Sequence, residues 1–424
     1  QKRNFKKYFK KKKESALIMR KQTKLVAVLS TAALLAIGAS MTSFAATGWA
    51  EEDGTWVYYN RDGERATDQW KKSGNNWYWL NSDGEMAIDQ LIEDGDNYYY
   101  VDINGVMAAN QWVAIDNEDA GQDNEPDHYW YYFQANGKAL KNGDNAKVAL
   151  KTINGKKYAF DDEGKMLYGW VSEDNAERVD DTDGDGFKEG TYYFGGEDDG
   201  AMTVGWLQMD ITYDEATNDD YKYTAAAFND DEDQTRWFYF KSNGKKIFAE
   251  DGDRTKDKTI NGKKYAFDQY GAMVAEWSLD EEDLPGKSLA SYSDAVESGD
   301  VNAGTASASN IITGKAFNAK YSEAWKYFNS VDDGARVSKG WFKVVPAEYL
   351  NDEKYNDDED YWYYADGSGN LYAGEFKTIK GKKYAFRNDG RMIDGLKFIY
   401  EDKDAQSLTV WADDDDPYRF DSED

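Results

Sequence analysis

The apolar and polar positions of this chain repeat. Residues 70–91, WKKSGNNWYWLNSDGEMAIDQL, show the unit most clearly. Trp70 opens it and Ser73-Gly74 turns it. An aromatic triplet follows, Trp77-Tyr78-Trp79, then a second turn at Asn81-Ser82-Asp83-Gly84, then Met86. The flanking segments 48–69 and 91–111 repeat the pattern, with Trp56-Val57-Tyr58 and Tyr98-Tyr99-Tyr100 as their triplets. In extended backbone, alternation puts Trp77 and Trp79 on one face and Tyr78 on the other. Each triplet lies between glycine-containing turns, so each copy predicts a β-hairpin plus a connector. A lone hairpin buries too little to be stable in water, so the copies must stack. The expectation is an all-β fold, an elongated β-solenoid of about eleven stacked hairpins over residues 47–396.

The copies are not uniform. After Trp112 they lengthen, and the fourth carries an acidic insertion, residues 113–128, before Trp130-Tyr131-Tyr132-Phe133. A short copy recurs three times: TINGKKYAFDDEGKMLYGW (152–170), TINGKKYAFDQYGAMVAEW (259–277) and TIKGKKYAFRNDGRMIDGL (378–396). A super-repeat of three copies therefore underlies the basic one. The segments 171–190, 207–235, 278–323 and 342–360 are rich in Asp, Glu, Asn, Ser and Gly and read as solvated loops or lengthened hairpins. Residues 397–424 read as a terminal cap followed by an acidic tail. The domain boundaries that follow are 1–45, 46–111 (compact repeats), 112–396 (repeats with insertions) and 397–424.

Composition narrows the chemistry. There is no Cys and a single His, His128, which excludes thiol catalysis, disulfides and a His- or Cys-based zinc site. The formal net charge is −30. Residues 1–45 carry eleven Lys or Arg against one Glu, so the remainder holds 40 basic and 80 acidic residues. So acidic a body repels nucleic acid and favours cations. Met19 begins a signal-peptide pattern: Arg20, Lys21 and Lys24, an apolar run from Leu25 to Ala39, and Ser43-Phe44-Ala45. The apolar run is too short to span a bilayer. Cleavage is expected after Ala45, leaving a secreted or cell-surface protein with no membrane span. Residues 1–18 precede the expected start.

The pattern Gly-Trp, glycine turn, Trp-Tyr-Tyr, Asn-x-x-Gly-x-Met resembles the cell-wall-binding (choline-binding) repeats of Gram-positive surface proteins. The TINGKKYAF copies also resemble short repeats of clostridial toxins and of glucan-binding proteins. The resemblance implies a ligand held in an aromatic cage between consecutive copies. A quaternary ammonium offers no hydrogen-bond donor, and ring faces attract it by about 0.5–2 kcal/mol each. The candidate cages are Trp49 with Trp56 and Trp79, and Trp70 with Trp77 and Tyr100. Further pairs are Trp112 with Trp130, Trp206 with Trp237, and Trp341 with Trp362. Any of these rings can equally serve packing alone. The short copies place Lys157, Lys264 and Lys383 at the first triplet position and Ala159, Ala266 and Ala385 at the third. They are expected to be structural spacers.

Asp181, Asp183, Asp185 and Glu189 match the first half of a calcium loop, with Gly186 at its turn, but Tyr192 stands where a bidentate Glu belongs. The alternatives are a Ca2+ site and an ordinary acidic turn. No carboxylate pair is singled out for catalysis. The function expected is therefore non-enzymatic attachment to choline on wall teichoic acid or to a related surface polysaccharide. The alternative is a lectin that binds glucan or host glycan.

Overall fold

The computed structural model describes residues 47–122, 125–212, 233–250, 255–279, 319–347 and 350–411. The segment expected to be a signal peptide and the acidic stretch from 412 onward lie outside them. The described residues are nearly all strand and turn. Twenty-four strands form twelve two-stranded antiparallel sheets, each made of neighbours in sequence. The first are β1 (Gly48–Glu52) with β2 (Thr55–Tyr59), β3 (Gln69–Ser73) with β4 (Asn76–Leu80), and β5 (Gln90–Asp94) with β6 (Asn97–Val101). The last is β23 (Phe398–Asp402) with β24 (Ser407–Trp411). Tertiary contacts divide the chain into two compact units, one holding 47–179 with 193–202, the other 180–192 with 203–411. Each unit is a set of stacked hairpins.

The turn chemistry explains the hairpins. Asn154-Gly155, Asn261-Gly262 and Lys380-Gly381 all take positive φ at both residues, the geometry that matches strand twist in a two-residue loop. Register then follows from turn length. In β1–β2 it sets Trp49 opposite Tyr58, Ala50 opposite Val57 and Glu51 opposite Trp56.

Stacking rests on the connector after each triplet. Its backbone is extended, so successive N–H groups point in opposite directions. The Met86 amide donates back to the Trp56 carbonyl of the preceding hairpin at 2.7 Å, and the Ala87 amide donates to Trp79 of its own hairpin at 2.9 Å. Met107 and Ala108 repeat this on Trp77 and Tyr100, and Met166 and Leu167 on Trp130 and Ala159. In the second unit Met273 and Val274 use Trp237 and Ala266, and Met392 and Ile393 use Trp362 and Ala385. Two successive amides of one connector therefore stitch two hairpins.

Between the hairpins lies apolar packing. Most seams bury the middle triplet residue: Val57, Tyr78, Tyr131, Tyr158, Phe238, Tyr265 and Tyr363 are buried, while Tyr99 and Tyr384 are half-buried. The turn glycines complete the contact, since the connector residue of one copy fills the space a Cβ would need in the next. At Gly271 an added Cβ would lie 2.7 Å from the Ile247 carbonyl oxygen and 2.7 Å from Lys246 Cδ.

Three insertions depart from the expectation of solvated loops. Of 278–323 the residues 280–318 lie outside the described ones, and its end forms α1 (Ala319–Glu323); 342–360 holds α2 (Asp352–Asn356). Tyr321 and Leu350 from these segments are buried against Trp277, Trp325 and Tyr363. Phe187, in the insertion 171–190, packs on Phe238 with ring centroids 5.8 Å apart. Scattered aromatic and aliphatic side chains outweigh the acidic background, because each finds a seam to fill.

Two predictions follow from these contacts. Gly271→Ala and Gly262→Ala share a positive φ, +85° and +82°, but nothing lies within 4 Å of an added Cβ at Gly262. Gly262→Ala should cost about 1 kcal/mol and Gly271→Ala about 2–3 kcal/mol in urea unfolding; equal losses would contradict the seam contact. Asp161 accepts the amides of Glu163 and Lys165 through Oδ1, at 2.9 and 2.8 Å, and burial pushes its carboxyl up to about 6. A raised folded-state value means the folded chain binds the proton more tightly. This contribution is full below about pH 4 and is lost as pH rises through about 6. Asp161→Asn keeps an acceptor without the charge. It should flatten this slope and gain about 1–3 kcal/mol at pH 8; an unchanged pH profile of thermal unfolding would contradict the reading.

Candidate functional site

The seam aromatics follow one rule. The opening Trp packs edge-on against the third triplet residue of its own hairpin and the middle triplet residue of the next. Trp49 lies 5.3 Å from Tyr58 at 81° and 5.3 Å from Tyr78 at 71°. Trp70 lies 5.2 Å from Trp79 and 5.1 Å from Tyr99. Trp112 uses Tyr132 and Tyr158, Trp206 uses Tyr239 and Tyr265, and Trp341 uses Tyr364 and Tyr384. All these pairs have centroids between 4.8 and 5.3 Å.

This rule differs from the expected cages. Trp49 was expected with Trp56 and Trp79, and Trp70 with Trp77 and Tyr100. The register instead sets the opening Trp opposite the third triplet residue, with the first one diagonal to it. Stacking then brings up the opposite face of the next hairpin, which carries its middle residue. Trp79 closes the seam of Trp70. Tyr100 stacks on Phe133 and donates its hydroxyl to Asp89, and burial first and that hydrogen bond second push its phenol well above the usual range.

Two of the later pairs meet. Trp206 and Trp237 stand 6.1 Å apart at 89°, and Trp341 and Trp362 stand 6.2 Å apart at 88°. Trp112 and Trp130 both pack on the cluster of Tyr158, Phe160 and Met166. At Trp206–Trp237 and at Trp341–Trp362 the two indoles form an L-shaped corner backed by tyrosine. The second indole remains partly open to solvent at Trp56, Trp130 and Trp237, and is exposed at Trp77 and Trp362.

Two seams are filled by the protein itself. Trp277 and Trp325 stand 6.4 Å apart at 84°, yet Ala347, Leu350 and Tyr321 cover them and both are buried. The Trp277 indole N–H is taken by the Val345 carbonyl at 2.7 Å. Burial pushes the Tyr327 phenol in this seam up to about 12. Trp170 is likewise buried, packed on Tyr193 at 5.2 Å. A Trp in the right place is therefore insufficient for an open corner.

Carboxylates stand beside Trp70, Trp130 and Trp56. Trp70 donates its indole N–H to Asp94 Oδ2 at 3.1 Å, and Trp130 donates to Asp198 Oδ1 at 3.2 Å. Asp198 also meets the His128 Nε2 at 3.1 Å, and the His128 ring packs edge-on against Trp130 at 5.4 Å. Glu51 is the cross-strand neighbour of Trp56. Such an arrangement suits a cation: ring faces for its apolar surface and fixed negative charge beside them.

The short copies play a part that the sequence did not disclose. Tyr158, Tyr265 and Tyr384 complete the seams of Trp112, Trp206 and Trp341. On the opposite face Lys383 holds its ammonium 4.4 Å from the Phe376 ring centroid.

The acidic loop does not gather its carboxylates. Asp181 Oδ1 accepts the Gly186 amide at 2.8 Å, and Asp185 pairs with Lys188 at 3.3 Å. Among the described residues no three of His, Cys, Asp or Glu converge as metal ligands. Asp181, Asp183, Asp185 and Glu189 are organised as a turn. Among the described residues no helix is long and apolar enough to cross a membrane.

The choline-binding repeat family matches residues 66–112, the segment from the end of the first connector to Trp112. No curated protein matches. The solved structures that resemble the chain include the modular autolysin LytC of Streptococcus pneumoniae, at 18% identity and a TM-score of 0.38, covering 82% of this chain and 53% of that one. The chain thus spans about half of that relative's length. The choline-binding domain of CbpL from the same organism aligns at 20% identity and a TM-score of 0.30, over 55% of this chain and 88% of that one. The choline-binding domain of Spr1274, also pneumococcal, is 33% identical over 22% of this chain and 95% of its own, with a TM-score of 0.17.

Proposed function

We propose that this chain, a carrier of choline-binding repeats, is an exported, non-enzymatic wall-binding protein that holds choline-bearing polymer in its open seams. The observation that carries the reading is the right-angle corner of two indoles backed by tyrosine at Trp206, Trp237, Tyr239 and Tyr265. A trimethylammonium head has no donor or acceptor to satisfy, so ring quadrupoles supply the attraction without any polar group being left unpaired. The acidic body raises the local concentration of such a cation. Weak single sites suffice, since a polymer engages several at once and gains avidity.

The corners favoured for choline are Trp49 with Trp56, Trp112 with Trp130, and Trp206 with Trp237. The seam of Trp277 and Trp325 is assigned to structure. Export rests on the charged and apolar pattern of residues 20–45.

The test is retention on a choline-agarose column with release by free choline. The triple variant Trp56→Ala/Trp130→Ala/Trp237→Ala should elute earlier, each loss weakening its own site by about 0.5–2 kcal/mol. Lys264→Ala should elute with the unaltered protein. Passage of the unaltered protein through the column, or unchanged retention of a triple variant with native circular dichroism, would overturn the proposal.

A further inference from the structure

Six hairpins begin their triplet with Trp: Trp56, Trp77, Trp130, Trp237, Trp325 and Trp362. Their direct cross-strand partners are Glu51, Lys72, Ala114, Gln208, Leu279 and Lys343. Among the described residues only two tryptophans are exposed, Trp77 at 40% and Trp362 at 43%. They are the two that face a lysine. The coincidence occurs once in each compact unit, with the same spacing: opening Trp, then Lys two residues on, at Trp70-Lys71-Lys72 and at Trp341-Phe342-Lys343.

Directly opposed residues of an antiparallel pair share a face, with Cβ atoms about 5 Å apart. The Lys72 ammonium sits 5.8 Å from the Trp77 ring centroid. Among the described residues neither Lys72 nor Lys343 has a carboxylate partner, in a chain with 81 acidic residues. A cation without a carboxylate partner, held beside an exposed ring, repels a second cation, so these corners are poor choline sites. They offer instead a flat apolar plate for the C–H face of a sugar ring and a point positive charge for an anionic substituent.

We propose that Trp77 with Lys72, and Trp362 with Lys343, form a second class of site that takes a phosphorylated sugar unit. The indole stacks on the pyranose face and the lysine ammonium pairs with the phosphate oxygen. The two classes are then separated by the residue opposite the first triplet position: Glu51 selects for a cation, Lys72 and Lys343 for an anion. This assignment stands independently of choline binding by the other seams, because a different charge at a different corner carries it.

The experiment titrates the full chain with glucose 6-phosphate, glucose, inorganic phosphate and choline, read by calorimetry and by tryptophan fluorescence. Saturable glucose 6-phosphate binding at two equivalents is expected, weakened by added salt, with glucose and phosphate each weaker. Lys72→Ala/Lys343→Ala should weaken glucose 6-phosphate at least fivefold and leave choline binding unchanged. Trp77→Phe/Trp362→Phe should retain part of the affinity, and Trp77→Ala/Trp362→Ala should lose it. Glu51→Gln should weaken choline alone. Absence of saturable glucose 6-phosphate binding, the same affinity after both lysines are removed, or displacement of the sugar phosphate by choline would overturn the assignment and reduce Lys72 over Trp77 to an internal cation–π pair. Failure of choline binding with glucose 6-phosphate binding intact would overturn only the preceding reading.

Discussion

A two-stranded hairpin has two faces and covers neither. Everything in this protein follows from how neighbours supply the missing cover. The edge-to-face contact between an opening Trp and the middle Tyr of the next copy is the recurring solution. It buries a large apolar surface, fixes the spacing of successive hairpins, and leaves the outer rim of the seam ring-lined. A connector that donates one amide backward and the next to its own hairpin holds the seam shut. Packing and recognition thus use the same side chains, with the first triplet residue at the rim and the middle one inside.

Much of this was legible in the sequence. The 21-residue recurrence, the glycine turns and the triplets gave hairpins that stack, and the structure is a set of such hairpins in each unit. The opening Trp was read as a cage residue, and in the structure it packs across the seam on the middle tyrosine of the next copy. What escaped was the partner. Alternation assigns faces within one strand, but a seam is made from unlike faces of two hairpins, so Tyr78 and Tyr99 belong to it rather than Trp79 of the following copy or Tyr100. That exchange needs the register of the pair and the direction of stacking, and neither is local. The short copies show the same limit. Their lysines lie on the face away from the preceding Trp, and their tyrosines close that Trp's seam.

The acidic insertions were the other blind spot. Their overall composition reads as solvent-exposed chain, yet Tyr321, Leu350 and Phe187 each seat in a core. A few apolar residues in an acidic background suffice when an unfilled seam is adjacent. The consequence is functional: the Trp277–Trp325 corner has the same near-right angle as the open ones but is already occupied by the chain. Variation among copies therefore sets which corners meet solvent. The residue opposite the first triplet position then sets the charge each open corner presents, from Glu51 to Lys72.

The account depends most on the seam contact itself, and a double-mutant cycle on Trp206 and Tyr265 measures it directly. Their rings lie 4.9 Å apart at 68°, in adjoining hairpins of one compact unit. Denaturant unfolding of Trp206→Leu, Tyr265→Leu and the double variant should give a coupling of about 0.5–1.5 kcal/mol. Strictly additive losses would mean that the two rings sit side by side without holding the hairpins together.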